Sequence, residues 1–286
     1  MSSLGEFELE PEPLGSGQFS RVWRARRISD GTPVALKKIQ IYEMMDATAR
    51  NNCIKEVELL MALDDHPNII KYLSSFVESN EFVLVLELAD AGDLASLLRT
   101  HRNANRWLDE ATVWQIFLQL ASAVNHMHAN RVMHRDIKPG NTFLVSSGVV
   151  KLGDLGLSRA ISSKTYVVHS VVGTPYYMSP EQIHEAGYTF KSDIWSLGCL
   201  LYEMVTLRQP FEGNNYYVLG KKISTADYVP VAELTTERPE GPYSEGIIEL
   251  IHRMIKPQPD ERPDIGQVME WAQQGMAAWR MRRESV

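Results

Sequence analysis

The chain of 286 residues is 44% hydrophobic and has a formal net charge of −7, from 29 basic and 36 acidic side chains. This length and apolar content allow a sizeable buried core and argue against global disorder. The negative charge argues against a chain built to neutralise nucleic-acid phosphate. The longest mostly apolar run, Ile194 to Val205, is too short to cross a bilayer. We therefore expect neither a nucleic-acid partner nor membrane insertion.

The N-terminal residues and the two cysteines indicate a reducing compartment. The start, MSSLGEFELEPEPLG, lacks the basic region and apolar stretch of a secretory signal, and Ser2 stands where a myristoylated chain has glycine. Cys53 and Cys199 each lie in an apolar segment, where a small buried side chain is expected rather than a disulfide. The expected location is the cytosol or the nucleus.

The predicted secondary structure divides the chain into a β-rich part and a helical part. Short strands, bounded by Gly, Asp and Asn, are predicted around Val22 and at 33–39, 69–76 and 82–88. One helix interrupts them at 46–63, where apolar residues recur at the spacing of one helical face. Long helical patterns follow at 110–129 and 193–207. The small residues at 89–92 indicate a hinge between two lobes, with a ligand cleft expected at their junction.

A glycine-containing loop near the N terminus suggests phosphate binding. It reads LGSGQFSRV from Leu14 to Val22. Gly15 and Gly17 would let a strand–turn–strand approach phosphate oxygens and offer them backbone N–H groups. Two nearby glycines also occur in ordinary hairpin turns, so the loop alone is a weak signal.

A lysine on the next predicted strand is a candidate partner of those phosphates. Lys37 ends the motif VALK, and its side chain is expected to point away from its apolar neighbours. Glu56 shares a helical face with Leu60, so we expect it to pair with Lys37 and hold it against the α- and β-phosphates of a nucleotide. An ordinary edge lysine is the alternative.

The most specific chemical signal is VMHRDIKPGNTFL, at 132–144, followed by GDLGLSR. Asp136 is placed to accept or orient the proton of an incoming hydroxyl, and Lys138 to stabilise a transferring phosphoryl group. Asn141 and Asp154 offer oxygen ligands for magnesium that bridges nucleotide phosphates. With the upstream glycines and lysine in the same order, this spacing predicts ATP-dependent phosphoryl transfer.

The stretch GTPYYMSPE, at 173–181, closes a segment that begins at Asp154. Its end reads SPE where APE is commoner. Glu181 is expected to pair with Arg262 of DERPD in a buried ion pair with a structural role, because rupture of such a pair would strand one charge.

Together these motifs resemble the eukaryotic protein kinase superfamily. The resemblance implies an α+β, two-lobed protein kinase fold with the kinase domain at 7–274. Its parts would be a β-rich N-lobe with one regulatory helix at 7–88, a hinge at 87–92, a helical C-lobe at 93–274, and short tails at 1–6 and 275–286. The segments LELADAGDL, HRDIKPGN, GDLGLSR, GTPYYMSPE and FKSDIWSLGCLLYEM look, more narrowly, like the NIMA-related serine/threonine kinases, especially the short members that are little more than a catalytic domain.

The resemblance also implies a set of nucleotide contacts. Leu86 would be the gatekeeper, while Glu87 and Ala89 would bond adenine through their backbone. The implied ATP-binding residues are Leu14, Gly15, Ser16, Gly17, Gln18, Val22, Ala35, Lys37, Glu56, Leu86, Glu87, Ala89, Phe143 and Asp154, of which Val22, Ala35 and Phe143 would sandwich the adenine ring. A hydrophobic spine of the active state is implied as well, with plain core packing as its alternative; it would consist of Leu60, Tyr72, His134 and Leu155.

Substrates, processes and locations are implied in the same way. The family implies protein substrates, mitotic, spindle, centrosome or other microtubule-linked roles, and activation of short members by a larger NIMA-related kinase or scaffold. The expected location is the cytoplasm, with the nucleus, centrosome, spindle and microtubules as further sites. Ser20 replaces the third loop glycine, so the glycine pattern is incomplete. Leu155 replaces the usual phenylalanine after Asp154, a change that the NIMA-related family tolerates. The stretch at 224–245 is longer and more polar than expected, which puts inferred partner contacts there in question.

Regulation is expected in the segment before GTPYYMSPE. Lys138 and Thr174 match the serine/threonine branch of the superfamily. The family pattern points to Ser170 as an activating phosphorylation site, with Arg135 and Arg159 placed to pair with the phosphate. A merely polar loop is the alternative.

Tyr72 is a second candidate for regulation. A buried tyrosine hydroxyl usually finds a hydrogen-bond partner, and we expect it in the backbone of 155–156, where the contact would hold Lys37 and Glu56 apart in a resting state. Simple core packing of Tyr72 is the alternative.

Two other classes of function compete with a protein kinase. A nucleotide-free scaffold is disfavoured by an intact set of chemical residues, namely Lys37, Glu56, Asp136, Asn141 and Asp154. A kinase for small molecules on a related fold is disfavoured by the complete segment at 154–181.

Overall fold

The computed structural model of the chain describes residues 3–17, 20–40, 63–154 and 175–284. These residues form two units. The first contains the described residues up to Asp90 together with Gly153 and Asp154, and the second contains Ala91–Leu152 and the described residues from 175 onward. The first unit is built on an antiparallel sheet and the second is mostly helical. This confirms the predicted α+β class.

Five antiparallel strands form the sheet of the first unit, in the order β1-β2-β3-β5-β4. They are β1 (Phe7–Ser16), β2 (Ser20–Arg27), β3 (Pro33–Ile39), β4 (Tyr72–Glu78) and β5 (Glu81–Glu87). The bounds predicted for β3 are confirmed, whereas β4 and β5 are displaced from 69–76 and 82–88. Ser79 and Asn80, with φ of 52° and 64°, form the two-residue turn between β4 and β5, a turn whose twist suits a hairpin. Residues 46–62 of the helix predicted at 46–63 lie outside the described residues.

Strand alternation in β3 separates a core face from a functional face. Val34 and Leu36 are buried in an apolar cluster of the first unit that also contains Phe7, Ala25, Val83 and Val85. Since successive side chains of a strand point to opposite faces, Ala35 and Lys37 lie on the other side of the sheet. The core thus fixes the strand that carries Lys37.

The second unit consists of helices and one short pair of strands. The helices are α1 (Leu94–Asn103), α2 (Glu110–Ala129), α3 (Pro180–Ile183), α4 (Phe190–Thr206), α5 (Tyr216–Thr225), α6 (Val231–Leu234), α7 (Glu245–Met254) and α8 (Ile265–Glu284). The antiparallel strands are β6 (Thr142–Leu144) and β7 (Val150–Leu152). The prediction of α2 is confirmed at both ends, and its N-cap Asp109 accepts the N–H of Thr112.

Helix α4 forms the centre of the second unit. It begins at Phe190, earlier than predicted, and ends where Leu207 adopts a left-handed conformation with φ of 57°. All its residues from Ser192 to Thr206 are buried. Gly198 allows a close approach to the end of α7, because a Cβ at this position would lie 2.8 Å from Met254 Cβ. Such a helix is held in place from all sides.

The polar stretch at 224–245 is folded around one buried arginine. The Arg238 side chain pairs with Glu240 at 2.7 Å and lies over the ring of Tyr243, 3.9 Å from its centroid. The Tyr243 hydroxyl donates to the backbone oxygen of Leu108 at 2.6 Å. The stretch is therefore anchored to the residues that precede α2.

Two expectations from composition concern the cysteines and membrane insertion. Cys199 is buried in α4 with a free thiol, as expected, and burial raises its pKa. Cys53 lies outside the described residues. Within the described ranges, no helix combines the length and apolar character needed to cross a membrane.

A buried ion pair joins α3 to the segment before α8, as predicted. Arg262 Nη1 and Nη2 lie 2.8 and 2.9 Å from the two carboxylate oxygens of Glu181, and the Arg262 side chain has no exposed surface. Burial alone would raise the pKa of Glu181, but hydrogen bonds from Arg262 and Ser192 hold it below its ordinary value. The pair is therefore ionised at neutral pH.

Gly198→Ala should lower the free energy of unfolding by about 1–3 kcal/mol, because the added methyl group overpacks the contact with Met254. Gly246→Ala in α7 is the control, since its Cβ would lie 3.4 Å from Gly275 Cα, an ordinary contact. Chemical denaturation measures both variants. Equal stability of the two would contradict the tight approach of α4 and α7.

Glu181→Gln should destabilise the protein by about 3–5 kcal/mol at neutral pH, because Arg262 stays buried without its counter-charge. The lowered pKa of Glu181 means that its contribution is fully present above the ordinary carboxyl value of 4.5 and is lost as the pH falls through the folded value. The difference from wild type should therefore shrink in acid. Urea unfolding across this pH range checks it, with the exposed Glu185→Gln as control, and a difference independent of pH would argue against the ionised pair.

Candidate active site

The glycine-containing loop joins two paired strands. β1 and β2 pair as far as the loop, and the Gly17 N–H donates to Ser20 O at 2.7 Å. Val22 on β2 lies opposite Lys37 on β3. Gln18 lies outside the described residues. The loop and the lysine thus occupy neighbouring strands, as the sequence predicts.

Lys37 is held in an ion pair with Asp154. The lysine is 6% exposed, and its Nζ lies 2.5 Å from Asp154 Oδ1. Asp154 has a φ of 55°, in the left-handed region that few non-glycine residues adopt. The predicted partner of Lys37, Glu56, lies outside the described residues. Lys37 therefore pairs with Asp154, the carboxylate that the sequence analysis predicts to bind magnesium.

The residues implied to contact adenine lie on or directly after the strands. Ala35 is buried on β3 opposite Leu86 on β5. Glu87 is the last residue of β5, and Ala89 follows it in the link to the second unit. Phe143 lies in β6 of the second unit. Their contacts with a nucleotide stay predictions.

The predicted catalytic loop brings Asp136, Lys138 and Asn141 into contact. Lys138 Nζ lies 2.8 and 3.0 Å from the two carboxylate oxygens of Asp136. Asn141 Nδ2 donates to the Asp136 carboxylate at 2.8 Å and to its backbone oxygen at 2.7 Å. A 3-10 turn at Pro139–Asn141 brings the asparagine back to the aspartate. A cation and an amide together orient the Asp136 carboxylate.

The loop is anchored by Asp193, a residue that sequence reasoning did not single out. In the first turn of α4, its Oδ2 accepts the N–H of His134 and its Oδ1 that of Arg135, both at 3.0 Å. Arg135 has a φ of 70°, a strained conformation that persists where its surroundings compensate for it. The sequence separations of 59 and 58 residues leave no local pattern by which Asp193 could have been found.

Asp193 stays charged although it has no exposed surface. Burial alone would raise the pKa of Asp193, but the hydrogen bond and charge of His128 hold it below its ordinary value. His128 Nε2 lies 2.8 Å from Oδ2, and the Tyr188 hydroxyl donates to Oδ1. A buried carboxylate with such a donor set is an anchor for the backbone.

Tyr72 has a local hydrogen-bond partner. Its hydroxyl donates to Ser75 Oγ at 2.8 Å, within the same strand. A β-bulge between Tyr72 and Ser74 shifts the register and changes which side chains share a face. The expected contact, at 155–156, lies outside the described residues. The resting-state role of Tyr72 stays a prediction.

The other regulatory and spine residues are described in part. Arg135 is held through its backbone by Asp193, and His134 is buried with its Nδ1 accepting the N–H of Asp136 at 3.2 Å. The predicted residues that lie outside the described ranges are Leu60, Leu155, Arg159, Ser170 and Thr174.

A second network missed by the sequence analysis supports the segment that follows residue 174. The Tyr177 hydroxyl donates to Glu203 Oε2, and Arg102 Nη2 lies 3.2 Å from Glu203 Oε1. Burial raises the pKa of Tyr177 and of Glu203. Helix α4 thereby holds both the catalytic loop and this segment.

The donor set fits a magnesium ion. Asn141 and Asp154 supply amide and carboxylate oxygens, the ligands that magnesium prefers. Because the Asn141 amide nitrogen donates to Asp136, its amide oxygen is the atom suited to a metal. In the described parts of the chain, no three His, Cys, Asp or Glu side chains are grouped to hold a metal by themselves.

Comparison with known protein families identifies the class of protein to which this chain belongs. The chain belongs to the protein kinase domain family, whose model matches residues 9–272.

Individual relatives narrow the class. The chain is 38% identical over 264 residues to the probable serine/threonine-protein kinase nek2 of Dictyostelium discoideum, covering 91% of this chain and 60% of that protein. It is 36% identical over 264 residues to human Nek2, covering 90% and 57%, and 35% identical over 258 residues to human Nek5, covering 90% and 35%. These similarities confirm the predicted resemblance to the NIMA-related kinases. The chain spans 35–60% of the length of these relatives.

Proposed function

We propose that this chain is a serine/threonine protein kinase, which uses magnesium and ATP to phosphorylate protein substrates. The observation that carries the proposal is the contact of Asp136 with Lys138 and Asn141, in a loop held by a buried carboxylate. A base held in one orientation beside a cation is the arrangement that phosphoryl transfer to a hydroxyl requires.

Asp136 acts on the acceptor in this proposal. Its carboxylate accepts the proton of a serine or threonine hydroxyl as that oxygen bonds to the γ-phosphorus of ATP, and the bond from this phosphorus to the bridging oxygen breaks to release ADP. Lys138 Nζ, 2.8 Å from the carboxylate, lies close enough to balance negative charge on the transferring phosphoryl group. Catalysis of this kind depends mainly on positioning and on charge stabilisation.

In this proposal the nucleotide is held by strand, loop and hinge residues. Lys37 on β3 binds the α- and β-phosphates, the loop at 14–18 covers them, and the residues at 86–89 bind adenine. Asn141 and Asp154 would hold magnesium, which when bound neutralises charge on the nucleotide phosphates. The pairing of Lys37 with Asp154 supports this role, because it holds the lysine beside the carboxylate proposed to bind magnesium.

The proposed cellular role rests on the family resemblance and not on the geometry of the site. We infer that the substrates are proteins of mitotic, spindle or other microtubule-linked processes, reached in the cytoplasm, the nucleus or at the centrosome, and that a larger NIMA-related kinase or scaffold activates the chain. Similarity to kinases named Nek supports this inference. Phosphoproteomics after acute inhibition in the cells of origin tests it, and substrates without any link to these processes would overturn it.

Lys37→Met and Asp136→Asn should each lower phosphotransfer by orders of magnitude, roughly 100-fold or more, with little change in melting temperature, because they remove phosphate positioning and proton acceptance. Transfer of labelled phosphate from magnesium-ATP to casein, followed by phosphoamino-acid analysis, measures rate and specificity. The control is Lys38→Met, next along β3, whose charge lies over the Trp23 ring. Normal turnover of either variant would refute the mechanism, and mostly phosphotyrosine would refute the specificity.

Phosphorylation of Ser170 is proposed as the activating step, with Arg135 and Arg159 as partners of the phosphate and Thr174 near the acceptor hydroxyl. Ser170→Ala should lower kcat by about tenfold or more, because it removes a phosphate that would form charge-assisted hydrogen bonds with the two arginines. Ser162→Ala, in the same segment, is the control. Mass spectrometry establishes occupancy before rates are compared, and equal rates for Ser170→Ala and fully phosphorylated wild type would exclude the switch.

A further inference from the structure

We propose that Tyr188 is a positioning residue for phosphotransfer, acting through Asp193 on the backbone that carries Asp136. The inference rests on the proposed function. Tyr188 lies in the link between α3 and α4, where it is half-buried while its neighbours at 184–187 and 189–190 are exposed. Its hydroxyl donates to Asp193 Oδ1. The link thus contributes one inward side chain, and that side chain ends on the carboxylate that anchors the catalytic loop.

The four donors on Asp193 are divided evenly between its oxygens. Oδ1 accepts the Arg135 N–H at 3.0 Å and the Tyr188 hydroxyl. Oδ2 accepts the His134 N–H at 3.0 Å and lies 2.8 Å from His128 Nε2. Each oxygen therefore holds one backbone group of the catalytic loop and one side chain from elsewhere. The two side chains fix the rotation of the carboxylate, and the carboxylate fixes the loop.

Loss of the Tyr188 hydroxyl would leave the two carboxylate oxygens of Asp193 with unequal numbers of hydrogen-bond donors. Among the described residues, Oδ1 would keep one donor, the Arg135 N–H, whereas Oδ2 would keep two. Asp193 has no exposed surface, so water does not readily replace the missing donor. The carboxylate is then free to turn toward the His128 side, which lengthens the bond to Arg135.

That bond matters because of the conformation of Arg135. With a φ of 70°, Arg135 holds a backbone conformation that is unfavourable without a compensating contact. Asp136 follows directly, so relaxation of Arg135 changes the direction of the Asp136 side chain. A small misplacement of a catalytic group slows the chemical step without weakening substrate binding. The Tyr188 hydroxyl should therefore act on kcat.

The test is a comparison of Tyr188→Phe with Tyr202→Phe. Tyr202 lies in α4, and its hydroxyl donates to Val229 O at 2.8 Å, so Tyr202→Phe removes a tyrosine hydrogen bond of the same unit without touching Asp193. The full chain is assayed with magnesium-ATP and casein, and melting temperatures are recorded for each variant. Tyr188→Phe should lower kcat about tenfold with KM for ATP and casein within about twofold, and Tyr202→Phe should leave kcat unchanged.

Each other outcome decides against the proposal. A wild-type kcat in Tyr188→Phe, equal losses of kcat in both variants, or a rise in KM without a fall in kcat would overturn it. Failure of Tyr188→Phe to fold while Tyr202→Phe folds would show that the hydroxyl serves the fold alone. Failure of the proposed function looks different, since the wild type would then be inactive or Asp136→Asn would be as active as the wild type.

Discussion

The buried carboxylate of Asp193 is the interaction on which the candidate site depends. It receives two backbone N–H groups of the catalytic loop at 3.0 Å and is held charged by His128. A buried carboxylate with unmatched hydrogen-bonding capacity is costly, so α4 and the loop favour one arrangement. The direction of Asp136 is thus set from a helix that follows it far along the chain, and the chemistry of the loop depends on the packing of that helix.

Helix α4 can serve this purpose because its polar side chains are buried and form hydrogen bonds to several surrounding segments. Ser196 Oγ donates to the backbone oxygen of Tyr177 at 2.8 Å, Glu203 pairs with Arg102, and Ser192 donates to Glu181. An entirely apolar helix would bury as much surface but would give these segments no fixed attachment. The polar groups exchange some hydrophobic stabilisation for a defined arrangement of the surrounding loops.

Elements with strong local patterns were predictable. β3 and α2 have the predicted bounds because alternation in VALK and a capped apolar periodicity at 110–129 are local properties. The proximity of Asp136, Lys138 and Asn141 can also be predicted from the sequence, because a single 3-10 turn closes this short loop. The true bounds of β4 could not be predicted, because the strand ends and the bulge at Tyr72 depend on pairing with β5. That bulge gave the Tyr72 hydroxyl a partner in its own strand.

The sequence by itself determined the class of fold, the order of the chemical motifs and the residues of the catalytic loop. Each of these can be recognised from residue types that recur at separations of a few residues. The tertiary structure alone decided how these pieces are held: the pairing of Lys37 with Asp154, and the attachment of His134 and Arg135 to Asp193. These contacts join residues that are far apart in the chain. Their partners are selected by the packing of the sheet and of α4, which no local pattern encodes.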